Sequence, residues 1–364
     1  NSSESVFEIQ TIAIEGGNAG PTGGASQFAQ VQGVRGTPNI GWGINTPSPD
    51  QEGSYEAGDP RLQATILYPW ETMPDGPPAL VRLNDQMLNN RYNAKVQVPL
   101  DNPGGTGNAG TNIRRIRYAD VLLIAAEGAY EAGDEPRALT LLNMVRERAR
   151  NGRDVTLGIQ PEQVSDTLAV DVLGLATPSR VVVRYVGETT DAYAAGLRSL
   201  ASDFDGTITP IPARIENMDV ITAVEGTPIT DLASYIAAVD AQAPGSQVSV
   251  DITRVTHPEG GSVTTSTFTA DVEAMALLPD VTATGQALLD AIWAERRHEL
   301  AMEQHRWFDL RRQGRAEQVM EALTCEDRAL PPGCVTVAYQ SHFDLFPIPL
   351  GEVTIAGLEQ NSGY

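Results

Sequence analysis

Helical periodicity runs through this chain in two separated stretches, and between residues 170 and 272 the two-residue alternation of strands replaces it. In the first stretch Ile116, Ala119, Leu122 or Leu123, Ala126 and Tyr130 recur three or four apart. Gly133 then supplies a stop, Asp134 a cap for the next helix and Pro136 a residue suited to its first turn. Ala138, Leu141, Leu142 and Val145 make the second helix amphipathic, and it runs out near Asn151-Gly152. This spacing predicts a helix–turn–helix pair of tetratricopeptide type, whose apolar face is buried only by stacking on neighbours. Helix resumes near Gln286 and is expected to run past Trp307.

The block between is of another kind. Val181–Val186, Asp219–Val224 and Val248–Arg254 read as strands, Glu225-Gly226 as a turn and Asp231–Ala241 as one helix. A β-rich block flanked by helical segments reads as a module set into a helical scaffold. The expected architecture is therefore mainly α: a tetratricopeptide-type scaffold with long loops over 1–164 and 276–364, and an inserted α+β domain over 165–275. Residues 1–14 read as a strand. Residues 15–60 are rich in Gly, Pro, Asn and Ser and are expected to form a long loop rather than a packed element, and Asp101–Gly110 reads as another loop. The start at Asn1, already strand-like and without a signal segment, suggests that part of a longer protein precedes it.

With 364 residues, 41% of them hydrophobic, the chain can build two or three cores. Its formal net charge of -22 repels phosphate backbones and excludes nucleic acid as a natural partner. The sequence has no stretch long and apolar enough to cross a bilayer. The two cysteines, Cys325 and Cys334, flank a short Pro/Gly loop that suits a disulfide in an oxidising compartment; two free thiols are the plainer alternative. Two cysteines with one nearby imidazole, His342, are too few for a metal site. There is no phosphate loop, no Ser–His–Asp order within a motif and no metal spacing among the 4 histidines, so neither an enzyme nor a cofactor is called for.

Two resemblances sharpen this. Ile116–Glu127 with Gly133-Asp134 and Leu142–Ala149, then Ile292–Leu300, Glu303, Arg306–Arg312 and Gly314, and finally Leu345–Pro349 and Gln360–Tyr364, resemble the SusD (RagB) family in family order. Ser3–Ile9 and Asp59–Leu62 fit earlier parts of its pattern. The resemblance implies a non-catalytic protein on the outward face of the outer membrane, anchored by a lipid on a residue preceding this chain. It implies binding of a glycan or other nutrient and delivery to a SusC-like TonB-dependent transporter. Glu295, Arg296, Glu299, Glu303, Arg306 and Asp309 lie three or four apart and are expected to pair along one helix face as architecture, a salt-bridge lattice joining helix to loops, with Trp293 and Trp307 as core. The inserted block resembles a PDZ domain. Val172, Leu173, Gly174 and Leu175 match its carboxylate-binding loop and the start of its peptide-pairing strand, and Ile236 would line its pocket, implying a peptide C-terminus as a possible ligand. The stretch Ser202–Glu216 departs from that pattern.

A sugar site needs aromatic faces and planar polar groups. The loop-rich region offers Trp42, Tyr55, Tyr68, Trp70, Arg82, Asn84 and Tyr92, with Trp42 foremost because Gly41 and Gly43 flank it in a polar loop. Each of these residue types packs as readily as it binds. The competing reading is a protease-associated scaffold acting through the PDZ-like module.

Overall fold

The computed structural model describes residues 4–12, 27–37, 40–68, 71, 82–83, 91–97, 110–164, 179–199, 201–202, 215–256, 262–325 and 338–364; of 36–37, 82–83, 201–202 and 215–217 it describes the backbone alone. The helix pair spans Tyr118–Glu131 and Glu135–Arg150. Gly133 takes a left-handed φ of 80° at the bend, and the Asp134 carboxylate accepts from the Arg137 amide to cap the second helix. Leu122, Leu123, Ala126, Ala138, Leu142 and Val145 close on Leu288 and Ile292 of a third helix, Gln286–Glu299. The stacking partner that a lone pair lacks is thus supplied from beyond the β-rich block.

Ile116 belongs to a strand, Ile113–Arg117, rather than to the helix. It pairs antiparallel with Ser5–Ile9, more than a hundred residues upstream. The third helix is also shorter than its periodicity suggests. It stops at Glu299, Met302 and Gln304 take left-handed φ angles of 64° and 70°, and a separate helix runs from Arg306 to Arg312. The Gly-rich stretch before residue 60 is packed where it is described. It holds the short helices Phe28–Gln32 and Pro49–Gly53, and it buries Ala29, Val34, Ile40 and Tyr55.

Between the helix pair and the third helix stands a seven-stranded antiparallel sheet. Its main path runs Thr264–Glu273, Gln247–Thr256, Ile215–Val224, Val181–Val186 and Ile159–Gln163. Alternate residues face one core: Val248, Val250 and Ile252 oppose Val272, Ala270 and Phe268. Helix Leu232–Asp240 covers that face through Tyr235 and Val239, capped by a reciprocal Asp231–Ser234 box. The chain enters and leaves this unit through Val155–Thr156 and Met275–Ala276, which pair with each other, so an excursion of more than a hundred residues leaves the scaffold at one point.

The expectation of a mainly α chain is therefore wrong. Beside the large sheet, four two-stranded sheets join the described residues of the scaffold. Their strands are two to five residues long and pair across long separations, so no local alternation betrays them.

Candidate functional site

The acids and arginines of the third helix are held mostly by residues from elsewhere in the chain. Glu295, only 1% exposed, takes Arg61 on one oxygen and Arg146 Nη1 on the other at 3.0 Å. Arg61 also grips Asp59 at 2.8 Å, and Arg146 grips Glu56 at 2.6 Å. Glu299 meets Arg117 at 3.0 Å together with Arg148, and Glu303 meets Arg117 at 2.7 Å and Lys95 at 2.8 Å. Arg296 joins Asp120 at 2.8 Å to Asp309 at 3.2 Å. The expected lattice joining helix to loops is present, but its pairs do not run along one helix face: these side chains point inward and tie the loops and the helix pair to the third helix. Arg306 takes no part in it.

Burial pushes the Glu299 carboxyl up, but Arg148, Arg117, Lys95 and Arg61 outweigh burial and hold it at about 2. Burial, then Arg61, draws the His298 imidazole down to about 4. Glu56, Glu295 and His298 bring ligand atoms within 4.8 Å of one another. With Arg146 on both carboxylates and Arg61 on one of them, this group carries its own cations and does not suit a metal.

The large opening lies where scaffold and inserted unit meet, a cleft of about 740 Å3. The scaffold side is Glu52, Gly53, Tyr55, Glu56, Ala57, Gly58 and Leu62; the inserted side is Gln160, Tyr185–Thr190, Tyr193, Arg198, Ser199 and Arg254. Tyr185 reaches across from its strand to pack against Tyr55, Leu62, Ile66 and Tyr68. Burial, then Glu52, raises its hydroxyl above the ordinary range. The Arg198 guanidinium stacks 4.1 Å from the Tyr193 ring centre. Asp219, fully buried, accepts from Arg254 Nε at 2.6 Å and from the Arg198 amide at 2.8 Å, fixing both on the cleft wall. On the scaffold side Glu52 takes Arg91 and the Tyr68 hydroxyl.

Of the aromatic candidates, Tyr55 lines this cleft, and burial pushes its hydroxyl up to about 12. Tyr68 is buried beneath Arg184, whose guanidinium sits 3.9 Å from its ring centre, and Tyr92 is buried with its hydroxyl donating to the Arg35 carbonyl at 2.7 Å. Both pack. Trp42 is 45% exposed and is not among the residues lining the cleft. Arg82 lies in a two-residue strand whose side chains are not described, and Trp70 and Asn84 lie outside the described residues. Tyr185, Tyr193, Arg198 and Arg254 went unnoticed in the sequence because they sit in strands and turns of a block that reads as an independent module.

Val172, Leu173, Gly174 and Leu175 lie outside the described residues. Ile236 packs against the core of the inserted unit and lines a groove of about 180 Å3 between its helix and the edge strand Ile159–Gln163. The scaffold leans on that edge. Pro161 has no N–H to offer, and Gln63 Nε2 donates to its carbonyl at 3.4 Å. Gln160 Nε2 donates to the Asp59 carbonyl at 2.6 Å, and Gln163 Oε1 caps the Leu232 amide at 2.9 Å. Cys325 is disulfide-bonded, and Cys334 lies outside the described residues.

Comparison with known proteins gives this architecture its relatives. The model of the SusD family matches residues 25–168 and 262–364, more than half of the chain and on both sides of the sheet. The chain belongs to the SusD family. A PDZ-domain model matches residues 155–267, so the seven-stranded sheet spans the interruption of the SusD match and overlaps it at both ends. Among solved structures the SusD chain is similar to surface glycan-binding protein A from Bacteroides thetaiotaomicron, at 18% identity and a TM-score of 0.49, covering 99% of this chain and 52% of that one. The same protein has been solved in complex with laminarihexaose. A SusD-like protein from Bacteroides fragilis matches at 15% identity and a TM-score of 0.49, covering 99% of this chain and 54% of that one. The chain thus spans about half the length of these structures. No curated protein matches it in sequence.

Proposed function

We propose that this protein binds a glycan or similar nutrient without catalysis, in the cleft between its SusD scaffold and its PDZ-like unit. In this reading it sits on the outward face of the outer membrane and passes its ligand to a SusC-like TonB-dependent transporter. Family membership supports the class of function. The observation that carries the site is the cleft's lining, where tyrosine rings alternate with planar charged groups, as sugar recognition needs.

The cleft's acids favour binding over hydrolysis. A glycosidase needs one protonated carboxyl and one free carboxylate flanking the bond. Glu52 is engaged by Arg91 and the Tyr68 hydroxyl. Burial pushes Glu56 up, but Arg146 outweighs it and holds the carboxyl below its ordinary range. The inserted unit serves here as one wall of the site. The edge strand Ile159–Gln163 beside Ile236 is already met by the scaffold through Gln63, which favours the inserted unit as a wall of the cleft over the protease-associated scaffold.

Isothermal titration with a panel of neutral oligosaccharides tests the proposal. A binder in the panel is expected, with Tyr185→Ala and Tyr193→Ala each weakening it up to about tenfold and Trp42→Ala leaving it unchanged, since one stacked ring is worth about 0.5–1.5 kcal/mol. A binder indifferent to both tyrosines, or no binder at millimolar concentration, would sink it.

A further inference from the structure

A second pocket, of about 500 Å3, opens at the break between the helices Gln286–Glu299 and Arg306–Arg312. One rim is the loop Asn45–Ser48; the other carries Arg296, Arg297, His305, Arg306, Trp307 and Asp309. In a chain of net charge -22 this lining is locally cationic. The carboxylates around it are already claimed. Asp309 is divided between Arg296 at 3.2 Å and Arg312 at 2.9 Å, and Asp50 holds Arg297 at 2.6 Å. That leaves Arg306. It lines the pocket, is half-buried, and makes neither an ion pair nor a side-chain hydrogen bond among the described residues. Burial, then Arg297 and Arg315, draws its guanidinium down to about 10 against the opposing pull of Asp50 and Asp309, neither of which pairs with it. A half-buried arginine without an anion is costly to keep unless something else supplies one.

The neighbouring residue indicates the kind of anion. Trp307 follows directly, half-buried against Tyr339 with ring centres 6.5 Å apart, and it lines the same pocket. An indole beside an unpaired guanidinium suits a ring that bears a negative group. We propose that this pocket binds an acidic saccharide: Arg306 pairs with the carboxylate or sulfate while Trp307 covers the sugar ring. The site is separate from the junction cleft and does not rest on it.

The test is titration of the full chain at low ionic strength with methyl glucuronide, glucose 6-sulfate, methyl glucoside and inorganic sulfate. Both acidic sugars are expected to bind, the glucoside and bare sulfate at least tenfold more weakly. Arg306→Gln is expected to remove the binding tenfold or more while the melting temperature stays the same or rises, because no protein anion is lost. Trp307→Ala should weaken the sugars and not sulfate, and Tyr185→Ala should change nothing here. Equal binding of glucoside and glucuronide would overturn the proposal. So would binding in Arg306→Gln within twofold of the parent, or sulfate binding as tightly as the sugars. Should Arg306→Gln fail to fold, the ligand comparison on the unaltered chain decides: both acidic sugars binding at least tenfold more tightly than the glucoside and sulfate supports the proposal, and the lack of that preference overturns it.

Discussion

Glu295 shows what a single residue does in this protein. It is buried and shared by Arg61 and Arg146, which arrive from the short helix Pro60–Thr65 and from the second helix of the pair. Removing one member leaves the others charged and buried, at a cost of about 3–5 kcal/mol. Arg61→Ala is therefore expected to lower the unfolding free energy by that order, read from urea titration; a loss below about 1 kcal/mol, as for an exposed pair, would contradict the lattice. The charges of the third helix were legible in the sequence, but their partners were not. Arg61 and Glu295 stand 234 residues apart, and no spacing rule reaches that far. The same holds for Tyr185, which reads as one more β-residue until its ring is seen against Tyr55.

Elements show where local reading works and where it stops. The helix pair follows from caps and period, both of which act within one turn. The break after Glu299 does not, since Met302 and Gln304 adopt left-handed backbone that their side chains do not advertise. The end of that helix also sets a pH response. Neutral His298, drawn down to about 4, takes up fewer protons folded than unfolded, so its contribution is complete above about pH 6.5 and lost as the pH falls towards 4. Glu299, held at about 2, contributes above its unfolded value near 4.3 and loses that contribution as the pH falls to 2. The melting temperature is expected to decline in two successive stages on acidification, and His298→Gln should flatten the first and spare the second. A melting temperature flat from pH 7 to 4 in the parent would count against this. Where scaffold meets inserted unit, Gly58 takes a φ of 76° and a Cβ there would strike the Thr156 side chain. Gly58→Val is expected to loosen the junction, speeding proteolysis between 150 and 160 while the helix pair stays protected in hydrogen exchange; cleavage at the parental rate would contradict the close approach.

At the scale of the whole molecule, the interruption of helical period was the informative feature. It separated scaffold from insertion, while the strands that spoil a mainly α description were too short and too distant in pairing to be read. The insertion was easier to notice than to place. Nothing local says that its Tyr185, Arg198 and Arg254 turn towards Glu52–Gly58 and enclose a cleft with the scaffold. That shared cleft is the central claim, because it makes the PDZ-like unit part of the binding site rather than an appendage. A crystal structure with an oligosaccharide found by titration tests it most directly. The account predicts sugar density between Tyr185, Tyr193 and Tyr55, with Arg198 or Arg254 on its hydroxyls; sugar bound at Trp42, or anywhere outside the junction, with the cleft left to solvent would contradict it.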